Sequence, residues 1–76
     1  YKRCSPELLD TLAENVIRLR AERGLSQEAL AEQAGLHRTF ISLVERRGRN
    51  VTLGVVEALA VALNTDVPTL LSDKVP

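Results

Sequence analysis

Residues 37–50, HRTFISLVERRGRN, hold four arginines (Arg38, Arg46, Arg47 and Arg49) against one carboxylate, Glu45. A guanidinium presents its donors in a rigid planar fork, which suits paired acceptors such as phosphate oxygens or the O6 and N7 edge of guanine. Thr39, Ser42 and Asn50 lie in the same stretch and add neutral donors and acceptors. This is the chemistry of polar recognition and not of bond making. Catalysis finds little support: Cys4 and His37 are the single residues of their kinds, so neither an internal disulfide nor a zinc site can form from them. No Gly-rich phosphate loop follows a strand, and His37 has no placed acid–base partner. The expectation is a protein that is not an enzyme and carries no cofactor and no metal.

The ten basic and ten acidic side chains among 76 residues cancel, yet their distribution is uneven. Residues 1–24 carry +1, residues 25–36 carry −2, residues 37–50 carry +3 and residues 51–76 carry −2. Exposed charges act over about a Debye length, so a local +3 attracts phosphate whatever the sum over the chain. Apolar residues make up 45% of the sequence and charged ones 26%, which is globular composition. With no Trp, one Tyr and one Phe, the core must come from Leu, Val, Ile and Ala. No signal peptide or membrane-spanning run is apparent, and the expected setting is cytoplasmic.

The elements that must present the arginines read as helices. Ser5 caps a first helix with Pro6 in its opening turn, and Leu9, Leu12, Val16 and Leu19 recur at three- and four-residue steps until Gly24. Ser26 caps a second helix, which turns Ala29, Leu30 and Ala34 inward and stops at Gly35. A third runs from about Arg38 to Arg46, anchored by Leu36, Ile41 and Val44, and is followed by the turn Arg47-Gly48-Arg49-Asn50. Thr52 caps a fourth helix through Leu63, with Leu53, Val56, Leu59, Ala60 and Leu63 as its core stripe. Asn64 is suited to a left-handed stop, and Asp66 with Pro68 opens a short fifth helix through Leu71. No strand signal is present. The fold class is all-α: a five-helix domain over residues 6–72, with an N-terminal arm at 1–5 and a tail at 73–76. Whether the arm is ordered is not decided by its residues.

Two helices crossing over a short turn need a small residue at the close approach, a residue tolerant of positive φ in the turn, and a branched anchor beyond it. Ala31, Gly35 and Ile41 supply these at spacings of four and six. The stretch Leu25-Ser26-Gln27-Glu28-Ala29-Leu30-Ala31, then Gly35-Leu36, then Ile41-Ser42-Leu43-Val44-Glu45-Arg46, resembles Cro/repressor-type (XRE) helix–turn–helix regulators over about residues 10–71. Within them, GLHRTFISLVERRGRNVTL is most similar to controller proteins of restriction–modification systems. The resemblance implies a lambda-repressor-like domain, with the helix–turn–helix at helices 2 and 3, that regulates transcription.

A recognition helix offers its N-terminal turn to base edges in the major groove. On the third helix the face opposite Ile41 and Val44 carries Arg38, Thr39, Ser42 and Leu43, the expected base-reading set. Arg38 suits guanine, while Leu43 either touches a thymine methyl or is simply an exposed apolar residue. Expected phosphate contacts are Gln27, which resembles the family glutamine, and His37, Arg46, Arg47, Arg49 and Asn50. His37 reads equally as a helix cap, and Phe40 as packing more than base contact. Arg47 departs from the glycine frequent in the family at its position. The family pattern further implies an ion pair between Arg20 and Glu45, which makes Glu45 structural.

The fourth helix is too apolar for one buried face. Val55, Ala58, Val61 and Ala62, with Val67, Leu70 and Leu71, form an expected homodimer interface. A two-fold dimer would hold its recognition helices about 34–36 Å apart and read a pseudo-palindromic double-stranded DNA operator. An activator must in addition touch RNA polymerase, and no residue marks a surface for it. Two rivals are the DNA-binding module of a longer regulator and an antitoxin-like protein-interaction domain.

Overall fold

The computed structural model describes residues 3–73, in which five α-helices and no strand are found. In chain order these are α1 (Pro6–Glu22), α2 (Gln27–Ala34), α3 (Arg38–Glu45), α4 (Leu53–Ala62) and α5 (Val67–Leu70). Each begins on a side-chain cap that satisfies an otherwise orphaned backbone N–H. Ser5 accepts from the Leu8 N–H at 3.2 Å, Ser26 from Ala29 at 3.0 Å and Thr52 from Val55 at 3.2 Å. His37 accepts through Nδ1 from the Thr39 N–H at 3.1 Å, and Asp66 accepts from Thr69 at 2.8 Å.

The first four helices share one stop. After α1 the N–H of Leu25 reaches back to the Arg20 carbonyl, and after α2 that of Leu36 reaches Ala31. Gly48 does the same to Leu43 after α3, and Thr65 to Ala60 after α4. This closure requires the preceding residue to be left-handed. Gly24 (φ 66°), Gly35 (φ 69°), Asn64 (φ 58°) and Arg47 (φ 60°) take that position. Glycine does so freely and Asn tolerates it, whereas Arg at this conformation costs about 1 kcal/mol.

The core joins Leu12 and Val16 of α1, Leu30 and Ala31 of α2, Ile41 and Val44 of α3, and Val56, Leu59 and Ala60 of α4, closed by Leu63 and Leu70. Ala31 and Ile41, the close-approach and anchor residues, are both buried. One member of the expected α4 stripe departs from it. Leu53 is 77% exposed, because it is the first residue of α4 and that end projects past the core, which begins one turn later at Val56. Leu53 instead borders a shallow apolar cleft of about 190 Å³ with Cys4, Leu8 and Val51.

Asn15 is a buried polar residue on the inner side of α1. Its amide nitrogen lies 2.8 Å from the Leu70 carbonyl, 2.9 Å from Ser72 and 3.3 Å from Thr69, while its oxygen accepts from Arg18 at 3.2 Å. One side chain thus satisfies the carbonyls at the end of α5 and fastens the C-terminal segment to α1. The N-terminal segment is also held, since the Cys4 N–H donates to Asn50 Oδ1 at 2.8 Å. The remaining arm residues Tyr1 and Lys2, and tail residues Lys74, Val75 and Pro76, lie outside the described residues.

Candidate nucleic-acid interface

Helix α3 is divided lengthwise. Ile41, Val44 and Glu45 face inward, Arg38 and Thr39 stand in solvent at the N-terminal turn, and Ser42 and Leu43 are half-buried. The outward turn is therefore held by a fixed inner one. Arg38 leans toward α2, with its Nε 3.5 Å from Glu28 Oε1 and both side chains largely exposed. A pair this open is worth a few tenths of a kcal/mol, so Arg38 remains available to a ligand. Leu43 tucks its Cδ2 toward Gly48, within 3.5 Å of the position a Cβ would take there. Phe40 is half-buried against the core, and the Arg49 guanidinium lies 4.9 Å from its ring centre.

Behind the outward face sits a polar joint. Glu45 is 8% exposed and receives Arg20 Nε at 2.7 Å, Arg20 Nη2 at 3.0 Å and Gln27 Nε2 at 3.0 Å. Arg20 Nη1 also donates to the Leu25 carbonyl at 2.9 Å. A bidentate guanidinium–carboxylate pair with its remaining donors satisfied is the geometry in which a buried charge is tolerated. The hydrogen bond to Glu45 holds the Arg20 guanidinium above its ordinary range, against the opposing effect of burial. One joint therefore locks α1, the start of α2 and the end of α3 in a single arrangement. Gln27, half-buried at the start of α2, gives one amide hydrogen to Glu45.

The remaining candidates separate by partner. Arg46 is exposed and has no carboxylate partner among the described residues. Arg49 rests on Phe40, and Asn50 holds Cys4. Arg47 turns the other way. Its Nε is 2.6 Å from Asp10 Oδ1, Nη2 is 3.8 Å from Glu14 Oε1, and Nη1 donates to the Glu45 carbonyl at 3.1 Å. The residue expected at a phosphate is thus placed beside two carboxylates of α1. Asp10, Glu14 and Glu28 were not singled out by their sequence, although the four-residue spacing of the first two places both carboxylates on one helix face.

On α4 and α5 the expected interface set divides as well. Val61 is 74% exposed, and Val55, Ala58, Val67 and Leu71 are half-buried. Ala62 and Leu70 are corrected, being 7% and 0% exposed and part of the core with Leu59 and Leu63. The Leu70 carbonyl also receives the Asn15 amide at 2.8 Å. Among the described residues no side-chain cluster could hold a metal ion, and no helix is long and apolar enough to cross a membrane.

A small residue and an anchor at the crossing of α2 and α3, a left-handed turn between them and a solvent-facing arginine on the second helix define a helix–turn–helix. The profile of the helix-turn-helix family HTH_3 matches residues 16–70. The chain belongs to this family. As an HTH_3 member it is a DNA-binding transcriptional regulator and not an enzyme. It is 55% identical over 69 residues to control protein C.SmaI of Serratia marcescens, covering 91% of this chain and 82% of that one. Among solved structures it is similar to the restriction–modification controller protein C.AhdI of Aeromonas hydrophila, with a TM-score of 0.78 and 40% identity over 82% of this chain and 94% of that one. The C.Esp1396I controller tetramer in complex with its natural 35 base-pair operator matches with a TM-score of 0.77 and 33% identity, over 83% of each chain.

Proposed function

We propose that this HTH_3 protein is a restriction–modification controller that binds a pseudo-palindromic operator as a homodimer. The observation that carries the reading is the division of α3: Arg38 and Thr39 project from its N-terminal turn while Ile41, Val44 and the Arg20–Glu45 joint fix its inner side. In this reading α3 enters the major groove, Arg38 pairs with guanine, and Thr39 and Ser42 contact neighbouring base edges. Gln27 and the N-terminus of α2 meet one phosphate, and Arg46 and Arg49 meet others beyond the C-terminal end of α3. The similarity to C.SmaI and C.AhdI supports the controller assignment, and the operator complex of C.Esp1396I supports operator binding.

Val61, with Val55 and Ala58 beside it, provides the apolar face that a second copy would cover. A two-fold pairing there repeats the recognition turn about 34–36 Å away, one turn of the duplex, and so doubles the half-site. The test is to select bound sites from random duplex DNA and titrate the recovered site at two salt concentrations. An inverted repeat with affinity falling steeply as salt rises is expected. Recovery of no motif, with weak and salt-insensitive binding, would move the function to protein partners.

A further inference from the structure

Arg47 occupies a position where its backbone is unsuited and its side chain reaches back to α1. Of the four left-handed helix stops, two are glycines and one is asparagine; only Arg47 carries a long side chain at positive φ. That side chain runs back to α1, where Asp10 and Glu14 stand one turn apart, and also takes the Glu45 carbonyl at 3.1 Å. A glycine would close α3 with the same backbone bonds, from Arg47 to Val44 and from Gly48 to Leu43, and with no steric cost. What glycine cannot supply is the bridge. We infer that Arg47 is a positioning residue: it straps the 46–50 turn to α1 through Asp10 and Glu14, setting the places of Arg46 and Arg49, and it touches no phosphate of its own.

The geometry separates the three arginines by partner. Arg46 meets no carboxylate among the described residues, Arg49 is steadied by the Phe40 ring, and Arg47 faces the two carboxylates of Asp10 and Glu14. A phosphate that took Arg47 Nε would break the 2.6 Å pair with Asp10 and leave the turn without its tether. The turn is short, so a shift at residue 47 moves both neighbours. Arg47 therefore acts on DNA through Arg46 and Arg49.

This inference rests on the operator-binding reading. The test uses the operator duplex recovered by selection, titrated over a series of salt concentrations. Removing one phosphate-binding cation lowers the slope of log affinity against log salt by about 0.9 per protomer. Arg47→Gly retains the left-handed turn and deletes the strap. It is expected to bind roughly five- to tenfold more weakly at every salt concentration, with a slope parallel to wild type, whereas Arg49→Ala lowers the slope. Arg47→Asp alone should bind still more weakly, and the charge-swapped pair Asp10→Arg/Arg47→Asp should recover most of that affinity. A slope reduced by about 0.9 per protomer in Arg47→Gly, unchanged affinity in that variant, or failure of the swapped pair to recover would each overturn the inference. Wild-type protein without operator preference would overturn the underlying reading instead, and this is read before any variant is made.

Discussion

Glu45 lies next to arginines suited to DNA, yet its own three contacts all point into the protein. Replacing it with Ala leaves the Arg20 guanidinium, still mostly buried, with only the Leu25 carbonyl. Breaking such a pair from one side costs about 3 kcal/mol, and the residual exposure of Arg20 holds it to the low end of the usual range. Glu45→Ala is therefore expected to lower the thermal midpoint by more than about 10 °C on the scaling for a domain of this size. Urea unfolding should give a loss of stability with the slope retained; a stability within about 0.5 kcal/mol of wild type would mean that the pair is not structural.

At the scale of helices, the caps and stops carry much of the order. Asn15→Ala removes the group that satisfies the Leu70 carbonyl, and a cost of about 2 kcal/mol is expected from that buried acceptor left without its donor. Amide exchange should accelerate in α5 before it does in α2 and α3, and uniform acceleration would contradict the clamp. The Asp66 cap adds a pH dependence. Hydrogen bonds from the Thr69 side chain and backbone hold the Asp66 carboxyl below its ordinary value of 3.8. A depressed acid contributes stability above its unfolded value and loses it as pH falls through the folded one. The stability difference between wild type and Asp66→Asn, a neutral cap, should accordingly be constant near neutrality and shrink below about pH 3.8, as read by thermal unfolding at several pH values. A difference that does not change with pH would show that the cap owes nothing to its charge.

The helices themselves were legible because their caps are local: Ser5, Ser26, Thr52 and Asp66 each act three residues ahead, and Gly24, Gly35 and Asn64 mark the stops. What was not legible required tertiary placement. Leu53 has the right period for the core, but the sequence does not say where the core ends along α4. Leu70 and Leu71 read as equivalent leucines, and only the packing of α5 shows that Leu70 enters the core while Leu71 borders it. Asp10 and Glu14 share a face in any helical reading of α1, yet only the fold brings Arg47 opposite them, 37 residues from Asp10. The outward side of α3 was set by its inner anchors Ile41 and Val44, so Arg38 and Thr39 could be placed from sequence, while the half-burial of Leu43 under the Gly48 turn could not.

Over the whole molecule, zero net charge coexists with a local +3 over residues 37–50, so the arginines of that stretch lie among the protein's own carboxylates. Some of those carboxylates are structural, as at Glu45, and others border the exposed arginines, as Glu28 does Arg38. The apolar side of α4 extends the proposed recognition to two copies. Val61→Asp places a charge where the proposed partner surface meets and is expected to give a folded monomer by sedimentation, with at least about tenfold weaker operator binding. A dimer that survives this substitution would place the contact elsewhere.

Operator reading, as proposed, centres on α3 with Arg38 as its guanine contact. The most direct measurement is site selection from random duplex DNA, run in parallel with wild-type protein and Arg38→Ala. Wild type should return an inverted repeat with a preferred guanine in each half-site, and the variant should return the same repeat with that position relaxed, at a cost of about 1–3 kcal/mol on the preferred sequence. An identical motif from both proteins, with the guanine preference intact, would contradict a base-reading role for Arg38.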